Sequence, residues 1–206
     1  MEYQRFDLGG AAANCYLLWS GKEAGIIDPG GPAQELVEFV LRRELNLHWI
    51  INTHGHADHI FGNKMLRDQF KIPVFIHEND RPMLASPLLN FSRFFGIEFS
   101  SPDAEKTISD GEIIELGTEK ITVIATPGHT QGGISLYTPG IVFTGDTLFR
   151  EGIGRTDLPG GNYKQLLDMI YSRLLTLPPE TLVLPGHGDS TTIGHEAKYN
   201  PFIGIR

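Results

Sequence analysis

Thiols are nearly missing: Cys15 is the one cysteine in 206 residues. An intrachain disulfide is excluded, as are a four-thiolate zinc knuckle and a CxxC redox pair. Cys15 falls inside a strand pattern and is expected in the core. Long apolar runs are missing too, and no uninterrupted stretch approaches the roughly 20 residues that span a bilayer. The opening MEYQRFDLGGAAANCYLLW has no basic leader, and Asn14 interrupts its short apolar part. It reads as a strand rather than a signal peptide, so a cytoplasmic protein is expected. Cations are scarce: 17 Lys plus Arg stand against 25 Asp plus Glu, a net charge of -8. With no clear basic–aromatic stripe, this balance argues against a nucleic-acid partner.

What is present is ordinary globular material. Hydrophobic residues make up 40% and charged residues 20%, which excludes a mostly disordered chain. Glycine (24) and proline (13) supply many turns without a collagen-like or linker-like period. Length and the lack of a low-complexity linker predict a single domain over residues 1–206. Strands are predicted at Cys15–Trp19 and Glu23–Asp28, joined at Ser20-Gly21, then at Leu47–Asn52 and Val74–Ile76. Further strands are expected near Ile113–Leu116, Ile121–Ala125, Ser135–Tyr137, Ile141–Thr144 and Thr181–Leu184. Leu36, Val37, Val40 and Leu41 recur as one helix face; Met65, Leu66 and Phe70 mark a second helix. Leu166, Leu167, Ile170, Leu174 and Leu175 mark a third, ending before Pro178-Pro179. Strands alternating with helices favour an α/β layered domain with its loops gathered at one edge. Residues 78–102 suggest two short helices, serving either as a hydrophobic cap on the core or as a lid facing a substrate.

The strongest local signal is Thr53-His54-Gly55-His56-Ala57-Asp58-His59, between a hydrophobic strand and a helical pattern. Neutral imidazoles and carboxylates suit borderline divalent metals. In a regular helix His54 and His56 would point apart, so their joint use requires a loop at the strand end. Three further strand-end elements carry His or Asp beside glycine: Thr126-Pro127-Gly128-His129-Thr130, Thr144-Gly145-Asp146-Thr147 and Leu184-Pro185-Gly186-His187-Gly188-Asp189. Together they supply ligands enough for two metals. His48, His77 and His195 lie outside the pattern and are expected to be structural or solvent-facing.

THGHADH, PGHT, GDTLF and PGHG, in that order, resemble the metallo-β-lactamase-fold hydrolases, especially the glyoxalase II-like branch. The resemblance covers nearly the whole chain and implies an αββα sandwich. It implies that His54, His56 and His129 hold one metal, that Asp58, His59 and His187 hold another, and that Asp146 bridges them. Zinc is the expected metal, with iron or manganese as alternatives that use the same ligands. Such a pair lowers the pKa of water and polarises a carbonyl, so no serine or cysteine nucleophile is needed. Asp58 is the expected catalytic carboxylate. Asp28 and Asp189 either orient ligating imidazoles or cap turns.

The resemblance implies a thioesterase converting S-D-lactoylglutathione to D-lactate and glutathione, so the expected partner is a small thioester such as a glutathione conjugate. Asp146 stands where the best-known zinc β-lactamases use cysteine, which disfavours an antibiotic-degrading enzyme. The segment GDTLFREGIGRTD also resembles mononuclear iron persulfide dioxygenases, whose iron ligands would be His54, His129 and Asp146. A non-catalytic metal-binding protein is the third reading. Arg155 and Tyr163 are the candidate substrate contacts. Arg155 and Asp157 occupy places where glyoxalase II has a lysine and a tyrosine, and they read equally as a pair that fixes a loop. Only 19 residues follow His187, too few for the helical substrate domain of two-domain glyoxalase II. Phe91, Phe94, Phe95, Phe149, Tyr163 and Tyr199 are either pocket walls or core.

Overall fold

A strand that is apolar on both faces has to be covered twice. Strand β2 (Asn14–Ser20), paired with β1 (Glu2–Asp7), is such a strand. In the computed structural model, which describes residues 1–9 and 13–203, Cys15, Leu17 and Trp19 pack into a helix-facing core. Tyr16 and Leu18, one residue out of phase, pack into a core between two sheets. The same partition repeats in β3 (Glu23–Ile27) and β4 (Asn46–Ile51): Ile26 and Ile50 face the helices, Ile27 and Ile51 the opposite sheet.

With β5 (Val74–His77) and β6 (Lys106–Ile108) these strands form a six-stranded sheet in chain order, antiparallel through β3 and parallel from β3 to β6. Parallel neighbours require crossovers. Helix α1 (Gln34–Arg43) makes the first, and the short α2 (Ala57–Ile60) with α3 (Asn63–Phe70) makes the second. Leu36, Val37, Val40 and Leu66 of these helices fill the outer core.

The second sheet contains β7 (Ile113–Leu116), β8 (Glu119–Ala125), β9 (Ile134–Thr138) and β10 (Ile141–Gly145). After a small ribbon of β11 (Leu148–Phe149) and β12 (Gly152–Ile153), the chain adds β13 (Leu182–Pro185) and β14 (Thr191–Thr192). Its order is β14-β13-β10-β9-β8-β7. Phe143, Leu136 and Leu184 face the first sheet, whereas Val142 and Val183 face the outer helices. Those helices are α5 (Tyr163–Met169), continued by a π-helical turn at Ile170–Leu174, and α6 (Ile193–Tyr199). Layer by layer, the order is the expected αββα sandwich. No helix among the described residues is long and apolar enough to cross a membrane.

Several elements differ from expectation for local reasons. Strand β1 went unpredicted because only Phe6 of its six residues is buried, so no alternation shows. The short β6, β14 and α6 carry too few apolar residues to set a period. Strand β3 stops at Ile27, because Asp28 turns into the left-handed region with φ 51°. Leu41, expected on the buried face of α1, is 60% exposed. The predicted short helices of residues 78–102 are α4 (Arg81–Ala85) and a 3-10 turn at Ser92–Phe95. Of the residues in the expected domain 1–206, 10–12 and 204–206 lie outside the described set.

The sheet topology brings the functional loops together. The carboxyl ends of parallel β3, β4 and β5 lead to Asp28, His54 and Asp80. In the second sheet β8, β10 and β13 run in one direction and lead to His129, Asp146 and His187. Strand ends of both sheets therefore meet at one edge.

Candidate metal centre

As the chain leaves β4, side chains hold it in place of a regular ladder. Thr53 donates its backbone N–H to Asp28 Oδ1 (2.7 Å) and its hydroxyl to Asp28 Oδ2 (2.6 Å). Buried Asn52 donates to the carbonyl of His59 (3.1 Å) and accepts from Asn63 (2.8 Å). The loop between these anchors turns His54 and His56 toward the same point.

All seven expected ligands enter one cluster. His56 Nδ1 lies 3.0 Å from His54 Nε2 and 2.9 Å from His129 Nε2. Across the cluster His187 Nε2 lies 3.2 Å from Asp58 Oδ2, and His59 Nε2 lies 3.8 Å from the same oxygen. Asp146 sits between the halves, with Oδ2 3.5 Å from His129 Nε2 and Oδ1 3.4 Å from His59 Nε2. Three overlapping donor sets, His54/His56/His129, His54/His59/Asp146 and Asp58/His59/His187, each keep their atoms within 4.8 Å.

The chemistry of these donors fits divalent cations. Buried His59 Nε2 and Asp146 Oδ1 have no hydrogen-bond partner among the described residues, although such atoms are normally paired. His59 presents its other nitrogen, Nδ1, to Asp28 Oδ2 at 2.9 Å, and His129 presents Nδ1 to the Arg155 carbonyl at 2.7 Å. An Nδ1–H donated in this way leaves Nε2 as a lone pair aimed into the cluster, an arrangement common to metal-ligating histidines. Protonation favours the same conclusion. Burial and the neighbouring imidazoles hold His54 well below the ordinary histidine pKa, and burial with His129 pushes His56 down to about 3. Both stay neutral, as ligands must. Burial opposes charge on His59, but Asp28, Asp146 and Asp58 together raise its pKa well above the usual range. A positive charge is therefore demanded at that point. Burial likewise opposes ionisation of Asp58, yet His59 and His187 keep it below the ordinary carboxylate range.

Glycine permits the close approach. A Cβ on Gly186 would stand 2.3 Å from Asp146 Oδ1 and 2.8 Å from His59 Cε1. Gly145, at φ +48°, would place a Cβ 2.4 Å from Thr53 Oγ1. These contacts explain glycine beside Asp146 and His187 better than turn formation alone.

Sequence reasoning missed two contributors. Buried Asp80 accepts from the Gly55 N–H (3.1 Å), the Thr130 hydroxyl (2.7 Å) and the Gly132 N–H (2.7 Å). It ties the His54–His56 loop to the His129 loop across the two sheets. Its signal was present, as a carboxylate just past the end of β5, but without glycine beside it. The Arg155 carbonyl is the other, and backbone acceptors leave no mark in a sequence.

Other candidates separate clearly. The Arg155 guanidinium forms a two-pronged pair with Asp157 (2.8 and 2.7 Å). That pair holds Asp157 down to about 2 and belongs to the loop-fixing alternative. Tyr163 begins α5 and is 51% exposed. Phe91 lies edge-on to His56 (5.2 Å between centroids) and stacks on Phe94, and Phe149 lies edge-on to His187 at 6.2 Å. These two rings flank the cluster; Phe95 and Tyr199 are exposed. Within residues 78–102, Leu84 packs with Ile60 and Ile76 as the cap alternative expects, and Phe91 meets His56. Asp28 orients an imidazole, whereas Asp189 is exposed beyond His187. His48 pairs with Glu23, His77 accepts from the Asn79 N–H, and His195 pairs with Glu151 (3.0 Å). Cys15 is fully buried, and burial raises its thiol pKa.

Imidazoles and carboxylates gathered where two sheets end are the working parts of a metal-dependent hydrolase. The model of the metallo-beta-lactamase superfamily matches residues 8–187, and the chain belongs to that superfamily. It is 40% identical over 207 residues to the probable metallo-hydrolase YqgX of Bacillus subtilis (strain 168), with 98% of each covered. Hydroxyacylglutathione hydrolase GloC of Haemophilus influenzae is 36% identical over 202 residues, covering 94% of this chain and 93% of GloC. Among solved structures, the B3 metallo-β-lactamase BLEG-1 is similar with a TM-score of 0.94 at 40% identity, covering 98% of this chain and 99% of BLEG-1. TTHA1623 in a di-iron-bound form is similar with a TM-score of 0.87 at 35% identity, covering 97% of this chain and 99% of TTHA1623.

Proposed function

We propose that this metal-dependent hydrolase is a thioesterase of the glyoxalase II type, cleaving S-D-lactoylglutathione to D-lactate and glutathione. The observation that carries the reading is the full seven-residue cluster, with donors for two cations around a shared Asp146. The similarity to GloC supports the substrate class. His54, His56 and His129 would hold one cation, Asp58, His59 and His187 the other. When bound, the cations supply Lewis acidity that activates water and polarises a carbonyl.

The chain's own groups do the rest. Asp58 stands on the open side of the cluster, with its carboxyl 35% exposed and held ionised by His59 and His187. It orients the attacking water and takes its proton. Phe91 and Phe149 narrow the approach and shed water from the thioester. Arg155 and Tyr163 would meet the substrate farther out, which requires the Arg155–Asp157 fork to open.

The likeness to BLEG-1 favours a second reading, hydrolysis of a β-lactam amide, and weakens the objection drawn from the missing cysteine. One experiment separates the readings. Protein loaded in turn with zinc, manganese and iron is assayed for thiol release from S-D-lactoylglutathione, β-lactam opening and oxygen uptake with glutathione persulfide. Thiol release dominating, with a large loss in Asp58→Asn, supports the proposal. Its absence under every metal while either other activity appears overturns it.

A further inference from the structure

Behind the His187 loop lies a cavity of about 320 Å³ that the metal centre does not use. Arg5 of β1 and Arg150, just beyond β11, both line it. Arg150 has no ion-pair partner among the described residues, and Arg5 makes only a long bond to the Gly188 carbonyl (3.3 Å). Asp189 is the one carboxylate in the lining, so the cavity carries a net positive charge. Tyr3 and Ser190 line it too. Tyr16 completes the wall; its hydroxyl donates to the Pro185 carbonyl (2.8 Å) and pins the strand that leads to His187.

Two guanidiniums and one carboxylate in one lining suit a group that carries carboxylate and ammonium together. The position is equally specific. Asp189 is two residues past His187, at most about 7 Å along the chain. Arg150 directly follows Phe149, the ring beside His187. A thiol leaving near His187 on a peptide-sized scaffold has arms of one or two residues, also about 4–7 Å. Arg155, by contrast, already spends both prongs of its guanidinium on Asp157.

Resting on the thioesterase reading, we propose that the Arg5–Arg150 cavity is the subsite for the charged amino-acid terminus of the substrate's thiol half. It takes the free carboxylate on the two guanidiniums and the ammonium on Asp189.

The test uses binding, so that it does not depend on turnover. S-methylglutathione, whose sulfur is capped, and its dimethyl ester are titrated calorimetrically into metal-loaded wild type and into the double variant R5Q/R150Q. Wild type should bind the free acid at least tenfold tighter than the ester, and the double variant should lose that preference. Both arginines are exposed, so the fold should survive; matching melting temperatures check this. Equal binding of the two compounds by wild type, or a preference kept by R5Q/R150Q, overturns the subsite. Thiol release from S-D-lactoylglutathione is measured alongside. Turnover without the preference sinks the subsite alone, while the preference without turnover sinks the thioesterase reading and leaves a carboxylate site standing.

Discussion

Asp28 Oδ2 lies 2.9 Å from His59 Nδ1, with both side chains buried, and the same carboxylate takes the N–H and hydroxyl of Thr53. One side chain therefore orients an imidazole at one end of the cluster and the strand exit that carries His54 at the other.

Asp28→Asn should weaken the Asp58/His59/His187 half more than the three-histidine half. An amide keeps an acceptor for Thr53 but removes the charge that fixes the His59 tautomer. Losing such a partner typically lowers metal affinity about 10–100-fold. Competition titration with a chromogenic chelator should show one weakened and one nearly unchanged equivalent. Two unchanged equivalents would count against the role of Asp28.

Gly186→Ala isolates packing from ligand chemistry. No ligand is removed, yet the new methyl would collide with Asp146 Oδ1 at 2.3 Å. Overpacking of this kind costs about 1–3 kcal/mol, and a displacement near 1 Å at a reacting centre costs about 100-fold in rate. The variant should fold, by circular dichroism, while hydrolysis falls by about that factor. Near-wild-type turnover would show that Asp146 can move freely.

Much of this centre was legible in the sequence because its chemistry is local. His54, His56, Asp58 and His59 sit within six residues, and each remaining ligand stands beside a glycine that its geometry requires. The sandwich was legible where strands are apolar on both faces, as in β2, and illegible where they are short or polar, as in β1 and β6. Contacts between loops left no local mark. The Arg155 carbonyl on His129 spans 26 positions, and Asp80 reaches Thr130 across 50. Nor could the sequence show that Phe91 and Phe149 leave the core to flank His56 and His187.

Asp80→Asn should destabilise the protein although it removes a buried charge. Three donors converge on the carboxylate, and an amide must leave one N–H facing another. An orphaned buried donor costs about 1–3 kcal/mol. Burial raises the pKa of Asp80, so ionising it in the folded state opposes stability at pH values above the folded pKa. That opposition fades as pH falls through the folded pKa toward the unfolded one, whereas the amide has no such term. Urea unfolding at several pH values should therefore show the deficit of Asp80→Asn widening toward acid. A constant deficit would place the ionisation elsewhere.

Stripping the protein with a chelator should lower its melting temperature, and cation should restore it. His56 Nδ1 lies 3.0 Å from His54 Nε2 and 2.9 Å from His129 Nε2, and a cation would join the three imidazoles directly where Asp80 ties only their loops. Binding only to the folded state adds about 2.7 kcal/mol at a concentration 100 times Kd. Calorimetric scans with zinc, manganese and iron should rise with concentration in wild type. In a variant lacking His56 and His59 the rise should vanish; a rise that persists would place the stabilising cation outside the cluster.

Phe91→Ala separates approach from chemistry. The ring meets His56 edge-on but donates no atom to the cluster, and alanine meets the left-handed φ of 66° at this position with the same Cβ that phenylalanine carries. Removing the ring opens the site above the three histidines without altering the ligand set. If Phe91 sheds water from the bound thioester, KM should rise several-fold, kcat should fall less, and bound metal per chain should stay the same. Phe91→Leu, which keeps apolar bulk, should recover most of the KM. A loss confined to kcat would mean that the ring positions His56, and Leu would then fail to rescue, because its branched side chain cannot reproduce the edge-on ring contact.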